Sequence, residues 1–166
     1  MKKITFVCFF ILAVSVCAFG QSAKLKVSDL QILTGAKWVG NLNYLDYGKN
    51  SNVSIPSTLS VMRSEDDNLS WVFDYKYPDE PKADSKETVK LSNDGKTFNG
   101  EKVIERTKLK DKTIKIVLEK SGTDNDKKAL FHYIYLLNKN SFSIRKEVKY
   151  EGENNFFVRN EYSWKR

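Results

Sequence analysis

Leu30-Gln31-Ile32-Leu33-Thr34-Gly35-Ala36-Lys37-Trp38-Val39-Gly40-Asn41-Leu42 contains a change of period that decides the fold. Its first half continues from Ser28, and Ser28-Asp29-Leu30-Gln31 has the Ser-x-x-Gln form of a capping box. Gly35 arrives a few residues later, so the spacing predicts only one or two helical turns over Ser28–Leu33, with Leu30 and Leu33 facing inward. After Gly35 the period becomes two. Trp38, Gly40, Leu42, Tyr44 and Asp46 alternate with Val39, Asn41, Asn43, Leu45 and Tyr47, the pattern of a strand with one face turned to a core.

The same period returns along the rest of the chain. Strands are expected at Val53–Arg63, at Leu69–Tyr77 and, after Pro78-Asp79-Glu80-Pro81, at Lys86–Ser92. Asn93-Asp94-Gly95 then signals a tight turn. Thr97–Arg106, Thr113–Lys120, Lys128–Asn138, Ser141–Tyr150 and Phe156–Trp164 complete the series. No sustained helical period appears. Eight to nine strands joined by short turns imply antiparallel neighbours, and a sheet of that size protects its edges by closing. The expected fold is an all-β antiparallel meander β-barrel with a short N-terminal helix. A two-layer sandwich is the competing architecture, but it needs a long crossing connection that the sequence lacks.

Residues 1–20 read as a signal peptide. Lys2-Lys3 precede an apolar run from Ile4 to Val16, and Ala18-Phe19-Gly20 offers small residues before Gln21. The run is shorter than a spanning helix needs, so export to a periplasmic or extracellular space is expected, without stable membrane insertion. Cys17 follows Val16, a poor fit to a lipid-anchoring signal. Both cysteines, Cys8 and Cys17, fall in this segment, so residues 21–166 form one barrel domain without disulfides or thiol chemistry. The chain carries a formal charge of +7, and removing Lys2 and Lys3 leaves 26 basic against 21 acidic residues, or +5. Lys108, Lys110, Lys112, Lys115 and Lys120 are interleaved with Glu101, Glu105, Asp111 and Glu119. This is a solvated face, not the one-sided basic stripe of a nucleic-acid binder.

The capped turn Ser28–Leu33, the Gly35-Ala36-Lys37-Trp38 step and a meander ending in a basic, aromatic strand resemble the calycin superfamily, and within it the bacterial lipocalin-like exported proteins. The resemblance implies a barrel closed at one end by Trp38, with an arginine from a late strand lying across it. Arg159 is the preferred candidate and Arg145 the alternative. The family's loop motif at the second hairpin is absent, so no ligand is carried over.

Candidate site residues follow from parity. Trp71, Phe73, Tyr75 and Tyr77 form a strictly alternating aromatic stripe that either fills the core or walls a cavity. Tyr44 and Asp46 share the inward parity of the first strand, and Asn160 and Tyr162 that of the last. A buried polar group needs a partner or a ligand. If the first and last strands pair, Asp46, Asn160, Arg159 and Tyr162 come together. His132, the only histidine, lies between Phe131 and Tyr133. It reads either as a strand histidine bonded to its neighbours or as a single axial ligand to haem, the one cofactor considered. Asp79, Glu80 and Asp84 sit in a proline-framed loop without the spacing of a calcium site. No nucleophile–base pair is evident. The expected function is binding of a small apolar or amphipathic molecule inside the barrel; the alternative is a filled barrel with a working surface.

Overall fold

The computed structural model describes residues 23–166; the expected leader at 1–20 and both cysteines lie outside them. Helix α1 (Val27–Gln31) precedes β1 (Lys37–Asp46), β2 (Ser51–Arg63), β3 (Ser70–Lys76) and β4 (Ser85–Lys90). There follow β5 (Thr97–Phe98), β6 (Glu101–Lys108), β7 (Ile114–Asp124), β8 (Lys127–Leu137), β9 (Ser141–Tyr150) and β10 (Phe157–Lys165). The ten strands form one antiparallel sheet in the order β4-β3-β2-β1-β10-β9-β8-β7-β6-β5. Every consecutive pair is a hairpin except that β1 pairs with β10, where the chain's two ends meet. The strand count is ten, not eight to nine, because Asn99-Gly100 turns the chain inside the stretch expected as Thr97–Arg106. Asn99 adopts φ +53° and Gly100 φ +77° there.

The last join, between β4 and β5, is minimal. A single bridge links Leu91 to Phe98, supported by the Asn99 N–H donating to the Lys90 carbonyl at 2.7 Å. The result is a nearly closed barrel. Above that bridge, neither Ser85–Val89 of β4 nor Lys120–Asp124 of β7 has a further strand beside it among the described residues. The wall has a lateral window at this point.

One end of the barrel is sealed. Trp38, Leu30 and Leu33 are buried, and the Trp38 indole Nε1–H donates to the Leu33 carbonyl at 2.9 Å. Phe142 lies 6.0 Å from Trp38, Trp164 stacks on Phe142 at 5.3 Å, and Tyr162 stacks on Trp164 at 4.9 Å. This aromatic column fills the lower half together with Leu59, Trp71, Phe73, Leu91, Phe98 and Leu118.

Trp38, the residue the resemblance places as a plug, is buried at this end. The arginine across it is not Arg159, which sits at the other end, but Arg166, whose guanidinium lies 4.8 Å from the indole centre. Trp38 is at the start of β1, beside the end of β10, so only the last residues of the chain reach it; Arg159 lies beyond Asn160, the partner of Tyr44, and its side chain donates to the Leu45 carbonyl near the end of β1. Arg145 is not the plug either, because it lies at the level of Glu161 and bonds it at 3.2 Å.

The helical turn is also capped differently from its sequence reading. Lys26, not Ser28, is the N-cap, and Asp29 Oδ2 accepts the Lys26 backbone N–H at 2.8 Å. Asp29 is recruited because it also accepts two hydrogen bonds from Arg106 on β6, at 2.6 and 2.7 Å. At 3% exposure the carboxylate depends on that bidentate partner.

Closure is tightest at Gly40. A Cβ built there would sit 1.9 Å from the Ser163 carbonyl oxygen of β10. Gly40→Ala is therefore expected to force β1 and β10 apart and leave little folded protein, read as loss of the cooperative thermal transition. Trp38→Ala should cost about 3–5 kcal/mol, the range for removing a buried aromatic, as measured by denaturant unfolding.

Candidate functional site

Above the aromatic column the interior is hollow. A cavity of about 320 Å³ is bounded by Tyr75, Tyr77, Tyr133, Tyr135 and Tyr162, with Ile144, Ser85, Glu87, Asn99, Glu101, Lys146 and Asn160 completing its wall. These residues come from β3, β4, the β5–β6 turn, β6, β8, β9 and β10, so the space belongs to the barrel interior and borders the window. Two of its phenols meet directly, Tyr77 and Tyr162 oxygens lying 2.6 Å apart. The Tyr75 hydroxyl donates to Glu87 at 3.3 Å. Tyr133 and Tyr135 make no hydrogen bond through their hydroxyls to any described residue, although Tyr135 is only 9% exposed.

The end opposite Trp38 is bridged by a polar strap. Asp124, at the end of β7, accepts the Tyr47 hydroxyl at 2.6 Å and the Tyr150 hydroxyl at 3.1 Å. Lys146 and Arg159 approach the same carboxylate at 3.9 and 3.7 Å. The Arg159 guanidinium lies over the Tyr47 ring at 4.1 Å and donates to the Leu45 carbonyl. Tyr47 follows β1 and Asp124 ends β7, so the bond crosses the barrel mouth. Phe131, Val148 and Ala129 pack as a small apolar cluster with Tyr150 and Phe157. The window lies between the sealed end and this strapped mouth, beside the cavity.

Burial sets the electrostatics. Tyr75, Tyr135 and Tyr162 have their phenol pKa values raised well above the ordinary 10.0, chiefly by desolvation. Tyr133 is pushed up to about 12 by the same cause, with Glu101 adding to it. Desolvation also raises the Glu101 carboxyl and lowers the Lys146 ammonium. In each case burial shifts the balance toward the neutral form.

The sequence-derived candidates divide sharply against this geometry. Tyr75, Tyr77, Asn160 and Tyr162 line the cavity. Trp71 and Phe73 share the stripe's inward parity, but they lie lower on β3 and are fully packed, Trp71 against Phe98 at 6.5 Å. Tyr44 faces inward on β1 yet is not among the cavity walls. Asp46 is used by its own turn, accepting the backbone N–H groups of Gly48 and Lys49 at 2.8 and 3.2 Å. Asp46 and Asn160 therefore do not share a site.

His132 faces away from the interior. It stacks on Phe156 at 4.1 Å, and its Nε2 lies 3.4 Å from Glu119. Its neighbours Phe131 and Tyr133 occupy the inward parity, so His132 could not ligate haem held inside the barrel. In the proline-framed loop, Asp84 accepts the Tyr77 backbone N–H at 2.9 Å and pairs with Lys76 at 3.2 Å, a structural use.

The residues missed were Tyr133, Tyr135, Ile144, Lys146, Ser85, Glu87, Asn99 and Glu101. Lys146 was legible, since it shares parity with Phe142, Ile144 and Val148.

No family model matches the chain, and no curated protein matches it. Among solved structures, the fluorescent protein UnaG is similar. Its wild-type crystal structure aligns at 12% identity over 82% of this chain and 98% of UnaG, with a TM-score of 0.41. A point mutant of UnaG aligns at 11% identity over 82% of this chain and 97% of its own, with a TM-score of 0.42. Likeness at that level carries no argument; the architecture rests on the strand order.

Phenols held neutral in the fold predict an alkaline limit to stability. Unfolded tyrosines ionise near 10 while these do not, so their contribution is intact below pH 10 and is lost as pH rises through their folded pKa values. Unfolding free energy should be flat to about pH 9 and fall steeply above pH 10. Spectrophotometric titration should show Tyr133 ionising near 12 and the deeper phenols only on unfolding.

Proposed function

We propose that this chain is a non-enzymatic binding protein of calycin type that takes one small, compact, amphipathic molecule into the barrel interior. The observation that carries the reading is the 320 Å³ cavity above a solidly packed core. Ligand pockets typically run from about 300 to 1,000 Å³, so this one suits a ligand of one to three rings. Its walls have the mixture such sites use: aromatic faces for area and a few polar groups for orientation. Tyr133 and Tyr135 present hydroxyls without protein partners, which a ligand would satisfy.

No triad or metal cluster competes with this reading. Among the described residues no group of three His, Cys, Asp or Glu side chains could hold a metal, and the one histidine points outward. Export by residues 1–20 belongs to the same proposal, placing the barrel in a periplasmic or extracellular space. Intact mass of the secreted chain should then begin at Gln21.

The test is a titration with the neutral fluorophore N-phenyl-1-naphthylamine. Saturable one-to-one binding with micromolar affinity is expected. Ile144→Trp, which places an indole in the hollow, should weaken binding at least tenfold, about 1.4 kcal/mol, while circular dichroism stays unchanged. Binding indifferent to Ile144→Trp, or no binding, would favour a barrel that works through its surface.

A further inference from the structure

We propose that the cavity's ligand is a compact organic cation, its ammonium group seated between Glu87 and Glu101 and its body against Tyr75 and Tyr162. The inference rests on the interior-binding reading and names the ligand class. Charge placement argues first. The charged groups in the cavity wall are Glu87, Glu101 and Lys146. Lys146 is already engaged, its ammonium 4.3 Å from the Phe131 ring centre and 3.9 Å from Asp124 in the strap.

Neither carboxylate forms an ion pair with a cation of the cavity wall. Glu87 makes no ion pair with any described residue and receives only the Tyr75 hydroxyl, at 3.3 Å. Glu101 is 8% exposed, with Lys120 the nearest cation at 3.7 Å. They stand on either side of the window, one at β4 and one at the start of β6. An anionic ligand head would enter past both. A cationic head would relieve the repulsion that, together with burial, holds the Glu101 carboxyl above its usual range.

The second argument is the wall itself. Aromatic rings attract a desolvated cation through the negative face of the ring, most strongly where water is excluded. Tyr75 and Tyr162 pack on each other at 5.6 Å between ring centres, tilted by 44°, and both border the cavity, where they form one continuous aromatic wall. The unpartnered Tyr135 hydroxyl supplies an acceptor for an ammonium N–H.

Calorimetric titration of the full chain with 2-phenylethylammonium, 2-phenylethanol and phenylacetate tests this, since the three share a body and differ in charge. The ammonium should bind at least tenfold tighter than the alcohol, and phenylacetate weakest. Glu87→Gln, at an exposed rim position, should weaken the ammonium at least fivefold and leave the alcohol unchanged. Glu101→Gln should do the same, but it alters a buried group, so Glu87→Gln decides. Equal affinities, tightest binding of phenylacetate, no binding of any probe, or an indifferent Glu87→Gln would each overturn the inference. If the naphthylamine still binds in those cases, interior binding stands and only the cation assignment falls; if it too fails, both fall.

Discussion

The pairing of β1 with β10 is the constraint on which the rest of the molecule depends. It joins the two ends of the chain, and it turns a ten-strand ribbon into a ring. The backbones approach so closely that only a hydrogen fits at Gly40 facing the Ser163 carbonyl. Two of the three tryptophans, Trp38 and Trp164, lie on this seam, and Trp164 donates to Ser57 on β2 at 3.0 Å. Their rings and Phe142 stack across the seam into the column that fills the lower barrel. Closure and core formation are thus a single event, with sequence separation close to the maximum the domain allows. Such non-local contacts carry a large loop-closure cost, which the buried aromatic area offsets.

The division of the interior into a packed half and a hollow half follows from side-chain chemistry. Below Tyr162 the inward positions hold indole, phenyl and branched aliphatic groups, whose only polar demand is the indole N–H, met at Trp38 by the Leu33 carbonyl and at Trp164 by Ser57. Above it they hold phenols, carboxylates, amides and Lys146, whose polar atoms must be directed somewhere. Tyr77 and Tyr162 satisfy each other, and Asp124 collects the groups at the mouth. The Tyr133 and Tyr135 hydroxyls border the cavity, beside the place where β5 ends after two residues.

Much of this was legible in the sequence. Period two from Trp38 onward is imposed by the strand geometry itself, so the barrel and the inward placement of Tyr75, Tyr77 and Tyr162 could be read directly. Depth along a strand could not. Trp71 and Tyr75 have the same parity, but one lies in packed core and the other at the cavity, a difference set by how neighbouring strands shear past each other. In β8 apolar residues occupy both parities, which hid that choosing His132 as inward would have excluded Tyr133 and Tyr135. The plug arginine failed for a related reason: the end of β10 nearest Trp38 belongs to Arg166, while a bulge between Val158 and Asn160 frees Arg159 for the opposite mouth. Asp29 shows that a local motif yields to a tertiary partner, since Arg106 is 77 residues away in the chain.

The two-residue β5 has a consequence for how fast the wall moves. Because the wall opens where a strand is too short to continue, the gap between β4 and β7 is bordered by side chains and not by a backbone ladder. Exposed side chains rearrange on the picosecond-to-nanosecond scale, whereas separating β1 from β10 must break a ladder of backbone hydrogen bonds. The fold thereby separates two time constants: its wall is quick to rearrange along one short edge and slow to open along the seam.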